Sequence, residues 1–436
     1  MLAFVVLALR RPPASLTCWA TTPNCLRYGR RFVAKSFCDV HGANPRARDA
    51  LLEAITLLRE ASVPEAEASA RWLLAHVLGS TELGAVDAAV TDNARLSALQ
   101  VGRFRSFVQR RLTREPVQFI VGRWAFHDID LELRPPVLVP RPETEELVDL
   151  VLDWWWGLCT TTTQKKRRDV DDVDDTSSRP KKAPARFLDV GCGSGALGLA
   201  LLKKLPPGST CRAIDISLDA VSLARQNAAQ LDLADRYVVE RRSAFVPKPP
   251  EEAPYDFIVS NPPYIPTIDL RSLEPEVRAF EDPLALDGGG DGLDVARAIL
   301  DQAPTYLDPD STRTVWFELD SSHPLTLAAE LKRRTTAAAA TPHEDDDKEK
   351  NTEPTTGTTT TALLPRKPAT DLILRGTNDN DDDDDDKEDD ESPAAVVLPV
   401  PHLVSSYLDI SQNFRFAQLA FQTKRSDDDV TKADHS

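Results

Sequence analysis

The part of this chain that most constrains its fold begins at Ala185. From there short apolar runs at 186–190, 211–215, 237–240, 257–260 and 314–319 are interleaved with helix-periodic segments at 195–204, 220–230, 293–302 and 324–334. Runs separated by crossovers of helical length pair in parallel, since a parallel neighbour cannot be reached by a tight turn. The spacing therefore predicts an α/β, doubly wound, Rossmann-like sheet. Its first strand runs into Asp189-Val-Gly-Cys-Gly-Ser-Gly195, which opens the first helix. Glycines let the backbone turn sharply and approach a ligand, and a helix N-terminus presents free N–H groups, so a nucleotide cofactor is expected here. Asp215 lies 20 residues beyond Gly195 at the end of the second strand, in register to accept from ribose hydroxyls. NAD and S-adenosylmethionine both satisfy this pattern, and the loop alone does not choose between them.

A second motif narrows the chemistry. Ser260-Asn261-Pro262-Pro263-Tyr264 follows the fourth strand at the carboxyl edge, where open α/β sheets bind ligands. Two prolines stiffen the loop and remove two N–H donors, leaving the Asn261 side-chain oxygen and the Pro262 carbonyl as acceptors. Paired acceptors suit a planar NH2 group, and Tyr264 offers an aromatic face to the flat group carrying it. An amide nitrogen is a poor nucleophile because its lone pair is delocalised. Hydrogen bonds from its two protons would orient it towards a methyl sulfonium and favour the positive charge that develops on it. A strong general base is not required, because the proton can leave after transfer.

Other regions are read more coarsely. Residues 46–115 carry apolar stripes at helical spacing (Leu51, Leu52, Ile55, Leu58; Ala70, Leu73, Leu74, Val77, Leu78) and predict a small N-terminal helical domain. Residues 116–145 alternate through Phe119, Val121, Phe126, Ile129, Leu131 and Leu133, predicting a hairpin between two domains. A polar insertion is expected at 160–183, and the catalytic domain at 185–422 is expected to carry a disordered acidic insertion at 335–392 before two last strands at 402–410 and 414–421. Residues 423–436 are expected to be a disordered tail.

Charge follows this division. The formal net charge is −17, but residues 344–391 hold 18 acidic and 6 basic side chains, −12 of the total. The remainder is near neutral, so a bulk-basic nucleic-acid binder is not expected. Residues 1–40 are expected to form a presequence or disordered segment; the first acidic residue is Asp39, after Arg10, Arg11, Arg27, Arg30, Arg31 and Lys35, the composition of a transit peptide. A mitochondrial location is expected, with plastid or cytoplasm as alternatives. No run of 18 apolar residues predicts a membrane span, and the six cysteines contain no C-x-x-C pair, so neither a metal site nor a disulfide framework is expected.

Taken with the glycine loop and Asn261 to Tyr264, three further motifs resemble the HemK-type N5-glutamine methyltransferases of peptide-chain release factors. They are Arg114-Glu-Pro-Val-Gln-Phe-Ile-Val-Gly122, Val139-Pro-Arg-Pro-Glu-Thr-Glu145, and Glu274-Pro-Glu-Val-Arg278 followed by Gly288-Gly-Gly-Asp-Gly-Leu-Asp294. The resemblance implies a class I S-adenosylmethionine-dependent methyltransferase with a seven-stranded sheet and a reversed last strand. It implies that Asp189, Gly191, Cys192, Gly193, Ser194, Gly195 and Asp215 hold the cofactor, with Asn261 shared between the cofactor and substrate sites. It also implies that Asn261, Pro262, Pro263 and Tyr264 grip the glutamine of a Gly-Gly-Gln motif, while the helical domain helps bind the release factor. The enzyme is expected to act as a monomer, without stable nucleic-acid or membrane partners.

The chain departs from the family's pattern in two places near the site. Ser243-Ala-Phe245 offers Phe245 for stacking on adenine but Ala244 where the family carries an acid. Glu318-Leu-Asp-Ser-Ser-His323 replaces a glycine- and glutamine-containing version. Three rival readings remain. Glutamine methylation of a ribosomal protein is disfavoured by the match at Pro140 to Glu145. N6-adenine methylation of DNA would need a basic recognition surface, for which Arg103, Arg105, Arg110, Arg111 and Arg114 are candidates unless they only form a solvated face. A non-catalytic module descended from a methyltransferase is disfavoured by the intact Asn261 and Asp215.

Overall fold

The computed structural model describes residues 44–157, 183–249, 251–339, 401–408 and 414–421. The expected presequence, polar insertion and C-terminal tail, and the acidic insertion from residue 340 onward, lie outside the described residues.

Four helices open the described chain: α1 (Ala47–Glu60), α2 (Ala66–Val77), α3 (Gly84–Thr91) and α4 (Ala98–Leu112). Each forms because one stripe can be buried. In α1, Ala47, Ala50, Leu51, Ala54, Ile55 and Leu58 repeat at the i, i+3, i+4 spacing of one helix face, and all are buried. α4 starts at a capping box in which Ser97 and Gln100 satisfy each other's backbone N–H groups. Phe104, fully buried, anchors the core of this unit together with Leu73, Leu74 and Leu96.

The segment expected to be a continuous hairpin needs correction at its start. Val117–Val121 is a short helix, α5, entered from Pro116 and ended by Gly122 at φ +78°. Proline fixes an extended entry, and a glycine in the left-handed region ends the turn, so Val117, Phe119 and Ile120 are buried on a helical face where alternation had suggested a strand. The hairpin proper is β1 (Arg123–Phe126) with β2 (Ile129–Glu132), antiparallel and paired only with each other. Trp124 of β1 packs against both the helical core and the catalytic core.

After α6 (Pro142–Trp155) come β3 (Arg186–Val190), α7 (Ala196–Lys204), β4 (Thr210–Asp215), α8 (Leu218–Gln230), β5 (Tyr237–Arg241) and β6 (Phe257–Ser260). Then follow α9 (Pro275–Phe280), α10 (Asp294–Tyr306), β7 (Thr314–Glu318), α11 (His323–Ala339), β8 (Pro401–Leu408) and β9 (Phe414–Phe421). α11 runs five residues beyond the expected stop at Arg334, through Thr335 and Thr336 into the alanines that follow, the strongest helix formers. Among the described residues the sheet has seven strands in the order β5-β4-β3-β6-β7-β9-β8; β3 to β7 are parallel, and β9 is antiparallel to both of its neighbours.

Both sheet faces are covered, which is why the central strands are apolar throughout. On one face Phe187 stacks on Phe257 at 5.0 Å, and Trp154 of α6 meets Phe257 and Trp316 edge-on at 5.5 and 5.7 Å. On the other, Leu188, Ile258, Val315 and Phe317 pack beneath α10 and α11. The strand order reverses between β3 and β6, and at such a switch point the loops diverge and leave a crevice.

Candidate active site

Five loops leave the carboxyl edge side by side, after Val190, Asp215, Arg241, Ser260 and Glu318. The first four border a cleft of ≈ 220 Å³. Its walls include Gly191, Gly193 and Asp215 on one side and Asn261, Pro262 and Pro263 on another, with Arg242, Ser243, Ala244 and Phe245 closing an end.

The glycine loop is a tight turn with Gly191, Gly193 and Gly195 all at positive φ (+72°, +55° and +86°). It is clasped by Asp215, whose Oδ2 accepts from the Gly193 N–H at 2.9 Å and whose Oδ1 accepts from the Ser217 N–H at 2.9 Å. Burial raises the Asp215 pKa, and the backbone donors offset part of that shift. An anionic acceptor at this edge, an open glycine loop and the apolar surfaces of Ile216 and Phe245, both largely exposed, together fit the ribose and base of a nucleoside such as S-adenosylmethionine. Ala244 supplies no carboxylate there, so stacking on Phe245 and backbone contacts are what this chain offers to adenine.

Not all of the residues expected to hold the cofactor line this cleft. The Asp189 side chain is 1% exposed and faces inward, accepting from the Gly198 N–H at 3.1 Å and from the Tyr237 hydroxyl at 3.4 Å. Cys192 and Ser194 are likewise buried, and neither they nor Gly195 border the cleft. The physical reason is strand alternation: Asp189 sits one residue before the strand end, with its side chain on the face covered by α7. These residues shape the loop from behind, while Gly191, Gly193, Asp215, Phe245 and Asn261 face the cleft.

At the other wall, Asn261 Nδ2 donates to Thr144 Oγ at 3.2 Å. That bond fixes the amide so that its Oδ1 is the end left for a ligand. Tyr264 does not border the cleft; it lies beyond the prolines among Glu318, Arg141, Glu143 and Arg415. Burial first, and the neighbouring Glu318 second, push its phenol up to about 12, so it is neutral at physiological pH. The loop is propped from behind: the Ile265 N–H donates to Leu286 O at 3.0 Å, the Gly288 N–H to Ile265 O at 2.9 Å, and the Thr267 N–H to Gly289 O at 2.9 Å. Gly292, at φ +82°, packs so closely that a Cβ there would lie 2.3 Å from Tyr264 O. The glycine-rich motif at 288–294 is thus the brace of the Asn-Pro-Pro-Tyr loop.

Residue patterns alone did not reveal three of the site's neighbours. Thr144 is 117 positions from Asn261, and Glu318 is fully buried beside it. Glu276 binds Arg111 at 3.0 Å and Arg114 at 2.6 Å, joining α9 to the helical domain. The only signal for them was that each falls inside or beside a motif of the resemblance. The arginines taken as a solvated or nucleic-acid-facing surface are largely committed: Arg110 pairs with Glu115 at 2.5 Å, and Arg111 is 5% exposed.

Comparison with known proteins agrees with this geometry. A family profile described as "PrmC N-terminal domain" matches residues 49–122, and one described as "Methyltransferase small domain" matches residues 177–272. The human "MTRF1L release factor glutamine methyltransferase" is 37% identical over 277 residues, 62% of this chain and 75% of the relative. The chain belongs to the release factor glutamine methyltransferase family. A release factor glutamine methyltransferase of Geobacter sulfurreducens is 36% identical over 58% of this chain and 77% of its own length. One of Deinococcus radiodurans is 36% identical over 65% and 90%. The two profiles fall on the helical domain and on the first part of the sheet, so family membership rests on both halves of the molecule.

Proposed function

We propose that this release factor glutamine methyltransferase transfers the methyl group of S-adenosylmethionine to the side-chain amide nitrogen of the glutamine in a release factor's Gly-Gly-Gln motif. One observation carries the reading: the acceptor end of Asn261 is turned to the cleft, next to two prolines that donate nothing, within the same crevice as Asp215 and the glycine loop. When bound, S-adenosylmethionine supplies an electrophilic methyl on a sulfonium. Asn261 and the Pro262 carbonyl hold the two amide protons, which aims the nitrogen and stabilises the positive charge it acquires. Gly191, Gly193 and Asp215 hold the nucleoside portion, and Phe245 stacks on its base.

Nucleic-acid methylation is disfavoured, since Arg110, Arg111 and Arg114 already serve Glu115 and Glu276. Among the described residues no helix is long and apolar enough to cross a membrane. The acid-free first 38 residues support import into a mitochondrion.

The decisive experiment is mass spectrometry of the Gly-Gly-Gln peptide after incubation of release factor with enzyme and labelled methyl donor, with ribosomal protein and DNA as competitors. A single methyl on that glutamine is expected; label on a competitor alone would overturn the reading. Asn261→Ala should lower kcat by roughly 10²-fold or more while calorimetry shows methyl-donor binding retained.

A further inference from the structure

Glu318 is a buried carboxylate at the carboxyl edge that the reaction above does not use. It ends β7, and because Ser260 of β6 pairs with Phe317, the chain beyond β7 emerges beside Asn261. Its side chain is fully buried, and neither carboxyl oxygen has an aligned hydrogen-bond partner among the described residues. Such a group is costly to keep unless it serves a purpose. It lies against the Thr144 hydroxyl, which holds its proton affinity down without the alignment of a formed hydrogen bond. Thr144, 4% exposed, is itself the acceptor of the Asn261 Nδ2 bond.

We propose that Glu318, acting through Thr144, is a positioning residue that sets which way round the Asn261 amide faces. The inference rests on the proposed reading of Asn261 as the group that grips the substrate amide. An ionised Glu318 accepts the Thr144 proton, which leaves the hydroxyl oxygen only as an acceptor and selects Nδ2 as its partner. Oδ1 then faces the cleft. A protonated Glu318 instead donates to the Thr144 oxygen, freeing the hydroxyl proton to bond Oδ1 and turning the amide so that NH2 faces the substrate. Two donors then oppose each other, and grip is lost.

The charged and titratable groups around Glu318 come from three elements: Arg141 and Glu143 at the start of α6, Arg415 on β9, and Tyr264 on the loop after β6. Burial raises the Glu318 carboxyl to about 7, with Arg415 and Arg141 opposing and Glu143 adding to the shift. The orientation should therefore change within the working pH range.

The test uses the full chain with four isosteric or conservative variants. Thr144→Val should lower kcat by about 10- to 100-fold with methyl-donor affinity within about threefold, whereas Thr144→Ser should restore most of the loss. Glu318→Gln should remove the acid limb near neutrality from the kcat profile. A readout without substrate separates this idea from the proposed activity. The Asn261 side-chain amide resonance, assigned by its loss in Asn261→Asp, should shift with pH near neutrality in the unmodified chain and not in Glu318→Gln. Full activity of Thr144→Val, or a pH-dependent amide signal persisting in Glu318→Gln, would overturn the positioning role even if release factor is methylated. A clean titration of the amide in a chain that fails to methylate release factor would instead preserve the positioning role and discard the substrate.

Discussion

Asp189 shows how far one residue's role depends on which way it faces. Its carboxyl is buried against the Gly198 N–H and the Tyr237 hydroxyl, and burial pushes it up to about 7 from an ordinary 3.8. Between those values the folded chain keeps a proton that the unfolded chain releases. Stability from this group is therefore present at low pH and lost as pH rises through about 7, opposite to a salt-bridged carboxylate. Glu318, also raised to about 7, acts in the same direction. Thermal unfolding of Asp189→Asn should accordingly show a shallower fall in Tm between pH 4.5 and 8 than the unmodified chain, since the amide keeps the acceptor without the proton equilibrium. An unchanged slope would mean that the carboxyl is not titrating in the fold.

At the scale of elements, the catalytic loop is a layered object. Asn261 to Pro263 border the cleft and carry the proposed chemistry, and the segment 286–292 stands behind the loop with backbone hydrogen bonds and almost no spare volume. Gly292→Ala would put a methyl into Tyr264 O and within 2.7 Å of His323 Cε1, at a φ that alanine resists. Backbone cannot yield as a side-chain tip can, so the loop should move as a unit. Kinetics should show a loss of about 10²-fold in kcat, the scale expected for an ångström of misplacement. Calorimetry should find methyl-donor affinity nearly intact, because the glycine loop and Asp215 stand on other strands.

For the whole molecule, the contact that matters is the buried cluster of Arg111, Arg114 and Glu276. Arg111 also reaches Ser69 Oγ at 3.1 Å, so one carboxylate on the catalytic domain ties together α2, α4 and the turn before α5. Removing it leaves a 5%-exposed guanidinium without its counter-charge. Glu276→Ala should cost about 3–5 kcal/mol, the range for breaking a buried ion pair from one side. Scanning calorimetry should show the helical domain melting separately from the sheet, and turnover on intact release factor should fall more than methyl-donor binding. A single, unshifted transition would show that Trp124 and the apolar contact alone hold the domains together.

Local chemistry determined much of this protein. Strand runs with helical crossovers, glycines that turn a loop, prolines that strip donors and an asparagine at a strand end are short-range facts, and from residues alone they made the sheet legible and pointed to the proposed cofactor loop and the proposed substrate-gripping asparagine. They also misjudged what short-range facts cannot hold: alternation at 117–121 read as a strand where Pro116 and Gly122 make a helical turn, and nothing local showed that strand alternation turns the Asp189 side chain inward. Tertiary structure alone decided the partners. Thr144 and Glu318 meet Asn261 because α6 and β7 pack beside β6, and Glu276 meets Arg111 because two domains close on each other. Such meetings depend on strand order and burial across tens to more than a hundred residues, and no spacing along the chain encodes them.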